Sequence, residues 1–254
     1  MVRVITGRNP VLEALRAGRP IQKIQLARNI GRHSIVAQIV YLAQTRGIPL
    51  EYVPDDVFRK YSGTVWHQGV MAYMAAQAYS SLEDLFRISH EKGEPPFYCI
   101  LDGIEDPQNL GAILRTAEAS GTHGVIIRTR RAVGLTAAVA RASAGAIEYV
   151  PVARVANIAQ TVDRLKENGV WVIGVDPAGK EDYRRADFTV PVAIVVGGEG
   201  KGASELVKKR CDYLISIPMR GKIGSLNASV AAALVMYEAL RQRQADTRKT
   251  NNCT

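Results

Sequence analysis

The order of apolar and polar positions predicts two regions in which helices and strands alternate. In residues 1–76 the strand-like runs are KIQLA, PLEYV and GVMAYMAA, and a helix-like run places Ile35 and Ile39 at helical spacing. An earlier helix-like run has Pro10 just inside its start and Gly18 after its end, as helix boundaries often do. This region is therefore predicted to be a small α/β domain.

A polar transition separates this region from the second one. Residues 77–97 contain one amphipathic helix and end in GEPP, so they are expected to form a linker. In residues 98–245 the runs FYCIL, HGVII, VWVIGVD, VAIVVGG and YLISI are continuously apolar and are separated by helical patterns. That alternation indicates a mainly parallel sheet covered on both faces. Residues 246–254 are expected to be a flexible tail.

Charge is unevenly distributed along the chain. Residues 1–76 carry ten Lys/Arg against four Asp/Glu, a net charge of +6, whereas residues 77–240 carry nineteen of each. The segment from Arg241 adds four basic residues against Asp246. A basic excess confined to particular segments favours a polyanionic partner such as nucleic acid, although it also serves solubility.

Other features of the composition bound the class of protein. No apolar run approaches the roughly 20 residues of a membrane helix, and the first residues lack the apolar segment of a secretory signal. The three cysteines are scattered and have no paired metal-ligand spacing, and the four histidines form no cluster. We therefore expect a reduced, cytoplasmic protein with neither a membrane nor a metal partner.

The run IVVGGEGKGASE, residues 194–205, suggests a ligand-binding turn after a buried strand. A phosphate-binding P-loop would need Lys after its second glycine, but Ala203 follows Gly202. Gly198, Gly200 and Gly202 give G-x-G-x-G, which is not the dinucleotide fingerprint. Two interpretations remain. The run is either a ligand-binding turn at the carboxyl end of a strand, where open α/β sheets bind ligands, or a tight connection without a ligand.

A second run, LDGIEDPQNLGAILRTAEASG, predicts a helix that begins at Asp106 and Pro107. Gly111 and Arg115 are four residues apart and share a face of this helix. Glycine leaves room beside the arginine, whose planar guanidinium suits a phosphate or a carboxylate. The alternative is an ordinary solvated arginine.

A third run, ISIPMRGKIGSLNASVAAALVMYEALR, leads from a strand through a glycine-rich loop into a long helix. Ser225 and Asn227 lie at the start of this helix, where they cap it or, together with free backbone donors, meet a ligand. The small residues that follow suit close packing, either inside one chain or between two subunits.

Together these runs resemble the SpoU family of RNA ribose 2'-O-methyltransferases, in the knotted SPOUT superfamily. The resemblance rests on N-x-G-x-x-x-R-x-A from Asn109, G-x-E-G-x-G from Gly197, and I-P-M-x-G-x-x-x-S-L-N-x-S from Ile217, with Ala228 where the family more often has Val. The run GRNPVLEALRAGRPIQKIQLA further resembles the ribosomal-protein-like (L30e-like) RNA-binding domain of the RlmB subgroup, which methylates a guanosine of 23S-type ribosomal RNA.

The resemblance implies a C-terminal α/β domain with a deep trefoil knot, S-adenosylmethionine as methyl donor, ribosomal RNA as partner and a homodimer. It implies a cofactor site formed by Gly197, Gly198, Gly200, Ile217, Met219, Gly221, Ser225 and Leu226. The implied catalytic residues are Asn109, Arg115, Glu199, Ser225 and Asn227, and the implied RNA contacts are Arg3, Arg8, Asn9 and Arg115.

In the family the arginine at the position of Arg115 is proposed to help deprotonate the ribose hydroxyl. Because a guanidinium is effectively always protonated, we expect Arg115 instead to hold a phosphate and stabilise the developing alkoxide, while phosphate or water takes the proton. Glu199, Ser225 and Asn227 would orient it. The alternatives are a transfer-RNA substrate, an adenosine in ribosomal RNA, and a non-catalytic ribosome assembly factor on the same scaffold.

Overall fold

The computed structural model describes residues 2–31, 33–62, 68–75 and 78–251, without the side chains of residues 2, 3, 59–62, 75 and 247–251. The chain divides into two compact units. The N-terminal unit consists of Met1–Ala78 and Leu135–Tyr149, and the C-terminal unit of Tyr79–Gly134 and Val150–Thr254. No helix among the described residues is long and apolar enough to cross a bilayer.

The N-terminal unit is built on a four-stranded sheet in the order β1-β4-β2-β3. β2 and β3 are parallel, and β4 is antiparallel to both β1 and β2. Buried apolar side chains such as Leu15, Ile24 and Ile39 form its core. The elements are β1 (Val2–Thr6), α1 (Arg8–Arg16), β2 (Ile21–Ala27), α2 (Ser34–Thr45), β3 (Leu50–Val53), α3 (Asp55–Ser62) and β4 (Val70–Ala75).

The segment Leu135–Tyr149 belongs to this unit although it lies far along the chain. It forms α5 (Ala137–Ala142) and a short 3₁₀ helix (Ala146–Glu148).

 Arg19 Nε lies 3.1 Å from Glu148 Oε2, and the Tyr149 hydroxyl donates a hydrogen bond to Glu13 Oε2 at 2.7 Å. These contacts join the segment to α1 and to the turn that follows it.

The C-terminal unit contains a seven-stranded sheet in the order β7-β6-β5-β10-β8-β11-β9, and every pair of neighbouring strands is parallel. Its strands are β5 (Phe97–Asp102), β6 (Gly124–Arg128), β7 (Val152–Val155), β8 (Trp171–Val175), β9 (Glu181–Asp182), β10 (Val192–Gly197) and β11 (Tyr213–Ser216). All six residues of β5 are buried, as expected for a central parallel strand.

The helices of this unit are α4 (Leu82–Lys92), α4a (Pro107–Ala119), α6 (Ile158–Glu167), α7 (Glu205–Arg210) and α8 (Ala228–Asn251). α8 packs against α4a and β10. The small residues Ala228, Ala232 and Ala239 are buried on α8, so packing within one chain accounts for that side of the helix.

The architecture confirms the predicted α/β fold with a mainly parallel sheet, and each predicted strand is present. Two boundaries differ from the predicted domains. The predicted linker contains α4, whose Leu82 and Leu85 are buried in the core of the C-terminal unit, and Leu135–Tyr149 groups with the N-terminal unit. Both differences depend on which surface an apolar face meets, and a local pattern does not contain that information.

Candidate active site

The predicted glycine turn follows β10 and is held by backbone contacts. The Gly198 amide donates to the Asp102 carbonyl oxygen at 3.0 Å, and the Gly202 amide donates to the Gly198 carbonyl oxygen at 3.0 Å. A Cβ on Gly197 would lie 1.9 Å from the Ala203 nitrogen, and one on Gly198 would lie 2.1 Å from the Gly103 oxygen. No side chain fits at these two positions, so the glycines are required by the close approach of backbone.

Asp102, at the end of β5, stabilises this turn through hydrogen bonds, and the sequence analysis did not single it out. Its side chain is buried, and Oδ2 accepts a hydrogen bond from the Ser204 amide at 2.9 Å. Arg128 Nη1 donates to Oδ1 at 3.4 Å. The acidic residue directly after a buried apolar run was the available signal for this role.

A cavity of about 600 Å³ opens beside the turn, which is a volume typical of small-molecule sites. It lies at the carboxyl ends of β8 and β10 and beside the loop that leads from β11 into α8. Of the predicted cofactor residues, Gly221 is not part of the lining. The others all are: Gly197, Gly198, Gly200, Ile217, Met219, Ser225 and Leu226.

A chain of polar side chains connects three predicted catalytic residues. Asn109 is buried on α4a and donates from Nδ2 to Glu199 Oε1. Asn227 Nδ2 donates to Asn109 Oδ1 at 3.0 Å, so one buried amide joins the glycine turn to the start of α8. Asn227 also caps α8, because its Oδ1 accepts from the amides of Ser229 and Val230 at 2.9 and 3.4 Å. Asn227 therefore caps the helix and also lies in the lining of the cavity.

Arg115 occupies a different environment on the same helix. It is exposed, whereas Gly111 one turn earlier is buried. Within the described part of the chain, Arg115 makes no hydrogen bond and no ion pair. In particular, it makes none with Glu199 or Asn227. The orientation of Arg115 by Glu199, Ser225 and Asn227 therefore stays a prediction.

An ion pair in the cavity lining was missed by the sequence analysis. Lys208 Nζ on α7 lies 2.7 Å from Asp176 Oδ2 at the end of β8. Burial alone would raise the pKa of Asp176, but the hydrogen bonds from Lys208 and from the Ala178 amide outweigh it, and the pKa is lowered. The hydrogen bond to Asp176 raises the pKa of Lys208. Both groups are therefore charged at neutral pH.

The predicted RNA-contacting residues lie in the N-terminal unit, apart from Arg115. Arg8 and Asn9 begin α1, and Arg8 donates from its amide and from Nε to Gln68 at 3.0 and 3.2 Å. The side chain of Arg3 falls outside the described residues. Among the residues that are described, no group of three or more His, Cys, Asp or Glu side chains could hold a metal ion.

Comparison with known proteins identifies both parts of the chain. Residues 96–237 match the SpoU rRNA Methylase family, and residues 4–80 match the family described as RNA 2'-O ribose methyltransferase substrate binding. The chain is 50% identical over 239 residues to the putative TrmH family tRNA/rRNA methyltransferase YacO of Bacillus subtilis, which covers 94% of this chain and 95% of that protein.

Two solved structures show how far the similarity extends. An AdoMet-bound rRNA methyltransferase from Sinorhizobium meliloti superposes with a TM-score of 0.77 and 27% identity, covering 94% of this chain and 87% of that one. The A. aeolicus TrmH/SpoU tRNA modifying enzyme gives a TM-score of 0.55 and 28% identity, covering 65% of this chain and 85% of that one. The chain thus belongs to the SpoU family and is an RNA ribose 2'-O-methyltransferase that uses S-adenosylmethionine as its methyl donor.

Proposed function

We propose that this enzyme methylates the ribose 2'-hydroxyl of a guanosine in large-subunit, 23S-type ribosomal RNA. One observation carries the choice of ribosomal RNA: the similarity to the S. meliloti rRNA methyltransferase includes the N-terminal unit, whereas the similarity to the A. aeolicus tRNA modifying enzyme covers 65% of the chain. The +6 net charge of residues 1–76 favours a partner rich in phosphate.

The cavity beside the glycine turn fits S-adenosylmethionine in chemistry as well as in volume. Its lining combines apolar side chains, such as Val196, Ile217 and Leu226, with backbone groups of the glycine turn and a charged pair. An adenosine needs these surfaces, because its flat ring system is apolar on its faces and forms hydrogen bonds at its edges. When bound, the cofactor supplies an electrophilic methyl group on a sulfonium.

The chemistry of Arg115 suits the substrate side of the reaction. A ribose hydroxyl is a poor nucleophile until its proton is lost, and a guanidinium is not a base at neutral pH. Because Arg115 is exposed and makes no bond to the described residues, its five donors are free for a phosphate and for the developing alkoxide. The proton then passes to that phosphate or to water.

The Glu199–Asn109–Asn227 chain and Ser225 set the geometry around that reaction. Asn109 connects the turn after β10 to the start of α8, and these two segments line the cavity from different sides. A fixed distance between these segments would orient the bound cofactor relative to the substrate, and positioning of this kind lowers a barrier by several kcal/mol.

The RNA is held, in this proposal, by Arg3, Arg8 and Asn9 of the N-terminal unit together with Arg115. These residues contact phosphates, so the affinity should fall steeply as the salt concentration rises. Such a substrate places the enzyme in the cytoplasm.

A homodimer and a trefoil knot complete the proposal. Val230, Leu234 and Tyr237 recur at helical spacing on α8 and are 46, 38 and 52% exposed, which is an apolar face that a second copy can cover. Replacing Leu234 and Tyr237 by Glu should give a monomer in light scattering, and a dimer of unchanged stability would contradict this interface.

The insertion of β10 between the earlier strands β5 and β8 is compatible with a knotted path.

Methyl transfer from labelled S-adenosylmethionine to naked 23S ribosomal RNA, with the modified nucleotide mapped, tests the proposal. A single 2'-O-methylguanosine is the expected product. A methylated adenosine or a methylated transfer RNA would overturn the substrate and leave the chemistry intact. Transfer to neither RNA, even within a pre-ribosomal particle, would favour a ribosome assembly factor.

A further inference from the structure

The ion pair between Asp176 and Lys208 is a polar element of the cavity that none of the sequence motifs contains. Asp176 directly follows β8, and Lys208 projects from α7, so the pair joins two elements beside the glycine turn. Their side chains are 9 and 19% exposed, and both line the cavity. A charge pair in this place is available to a bound ligand.

The Asp176 carboxylate has acceptor capacity that the protein does not use. Oδ1 accepts from the Ala178 amide at 2.9 Å, and Oδ2 accepts from Lys208 at 2.7 Å. An ionised carboxylate offers about four acceptor positions and no donor, so about two positions are left for a hydroxyl or an amine. Lys208 is held in turn by Glu205 at 3.2 Å, which fixes the ammonium against Asp176.

The placement of Asp176 relative to the glycine turn suggests what it accepts. β8 is the parallel neighbour of β10, and a Cβ on Gly202 would lie 3.8 Å from Asp176 Oδ2. In dinucleotide-binding folds an acidic residue beside a glycine-rich turn accepts hydrogen bonds from ribose hydroxyls. This chain lacks that fingerprint but places the same two chemical elements side by side.

We propose that Asp176 accepts a hydrogen bond from the ribose hydroxyls of the cofactor's adenosine, and that Lys208 is the positioning residue that holds the carboxylate. The inference rests on the proposed location of S-adenosylmethionine in this cavity. It adds a side-chain contact to a site that the motifs describe through backbone and apolar groups.

Calorimetric binding of S-adenosylhomocysteine and of its 2',3'-dideoxy analogue tests the contact without relying on turnover. Wild-type protein should bind the dideoxy analogue about tenfold more weakly or worse, because a hydrogen bond to a charged group is lost. In the variant D176A/K208M, which removes both charges together, the two ligands should bind within about twofold of each other. Wild-type protein that binds both ligands equally, or a folded double variant that discriminates as wild type does, would overturn the inference.

Two further variants serve as control and as substitute. D163N breaks the ion pair between Asp163 and Arg210, which also holds α7 but does not line the cavity, and should discriminate as wild type does. If D176A/K208M does not fold, D176N keeps the shape of the side chain with a weaker acceptor, and its discrimination should fall to about threefold. Discrimination in D176N at the wild-type level would overturn the inference.

A separate variant distinguishes failure of this inference from failure of the proposed site. L226W adds bulk to the cavity lining and should abolish binding of both ligands. If L226W binds them as wild type does, the cofactor lies elsewhere, and the proposed site and this inference fail together. If L226W loses binding while wild type does not discriminate between the ligands, only the role of Asp176 is overturned.

Discussion

Substitution of Gly198 by alanine should open the glycine turn and abolish cofactor binding. The added Cβ would lie 2.1 Å from the Gly103 carbonyl oxygen and 2.8 Å from its carbon, both closer than the 3.0 Å below which real Cβ contacts are essentially absent. Both neighbours are backbone atoms, so the end of β10 and the turn after β5 have to separate. That separation weakens the hydrogen bond from Gly198 to Asp102.

The expected destabilisation combines two effects. Overpacking of a tight contact costs about 1–3 kcal/mol, and one lost hydrogen bond costs about 0.5–1.5 kcal/mol. We therefore expect G198A to lower the free energy of unfolding by about 3 kcal/mol, which corresponds to a fall in Tm of about 6–12 °C for a unit of this size. Affinity for S-adenosylhomocysteine should fall by about 100-fold or more.

Gly224 provides the matched control for this experiment. It also lines the cavity, but a Cβ there would have no atom within 4 Å and the residue has no positive φ. G224A should therefore unfold within about 0.5 kcal/mol of wild type. Thermal melting and calorimetric titration measure both effects. If G198A and G224A behaved alike in both assays, backbone contact would not be what requires glycine at position 198.

Three further predictions concern the reaction, the polar chain and pH. R115A should lower the rate of methyl transfer by about 100-fold. It should bind S-adenosylhomocysteine and melt as wild type does, because Arg115 makes no bond to the described residues. Methylation at the full rate would contradict the proposed role of Arg115. N109A should lower the free energy of unfolding by about 1–2 kcal/mol and weaken cofactor binding, because Glu199 and Asn227 lose their shared partner. Thermal melting and calorimetric titration that match wild type would contradict the role of Asn109. Burial lowers the pKa of His123 to about 4, below its ordinary value of 6.5, so the unfolded chain binds more protons between these values. His123 should contribute about 3 kcal/mol to the free energy of unfolding above pH 6.5, and this contribution should be lost as the pH falls toward 4. Urea unfolding at several pH values measures the change. A smaller pH dependence in H123N would identify His123 as its source.

Local sequence patterns predict the elements whose formation depends on neighbouring residues. Buried strands such as β10, and β5 up to its final residue Asp102, are apolar, and Asp106 with Pro107 begins α4a as predicted. Both features are local, because capping and the burial of a whole strand depend on neighbouring residues. The glycine turn was also identified locally. Elements with weaker patterns, among them α3, β7 and the short α7, were not predicted.

Contacts between groups that are distant in the chain depend on how the elements pack, and local patterns do not contain them. Asn109 and Asn227 are 118 positions apart, and their hydrogen bond exists because α4a and α8 pack together. Asp176 and Lys208 become a cavity-lining pair because β8 lies beside β10, an order that chain position does not reveal. Periodicity and capping act over a few residues, whereas strand order and helix packing arise from burial of the whole apolar surface. The motifs therefore located the site, and the fold supplied the contacts within it.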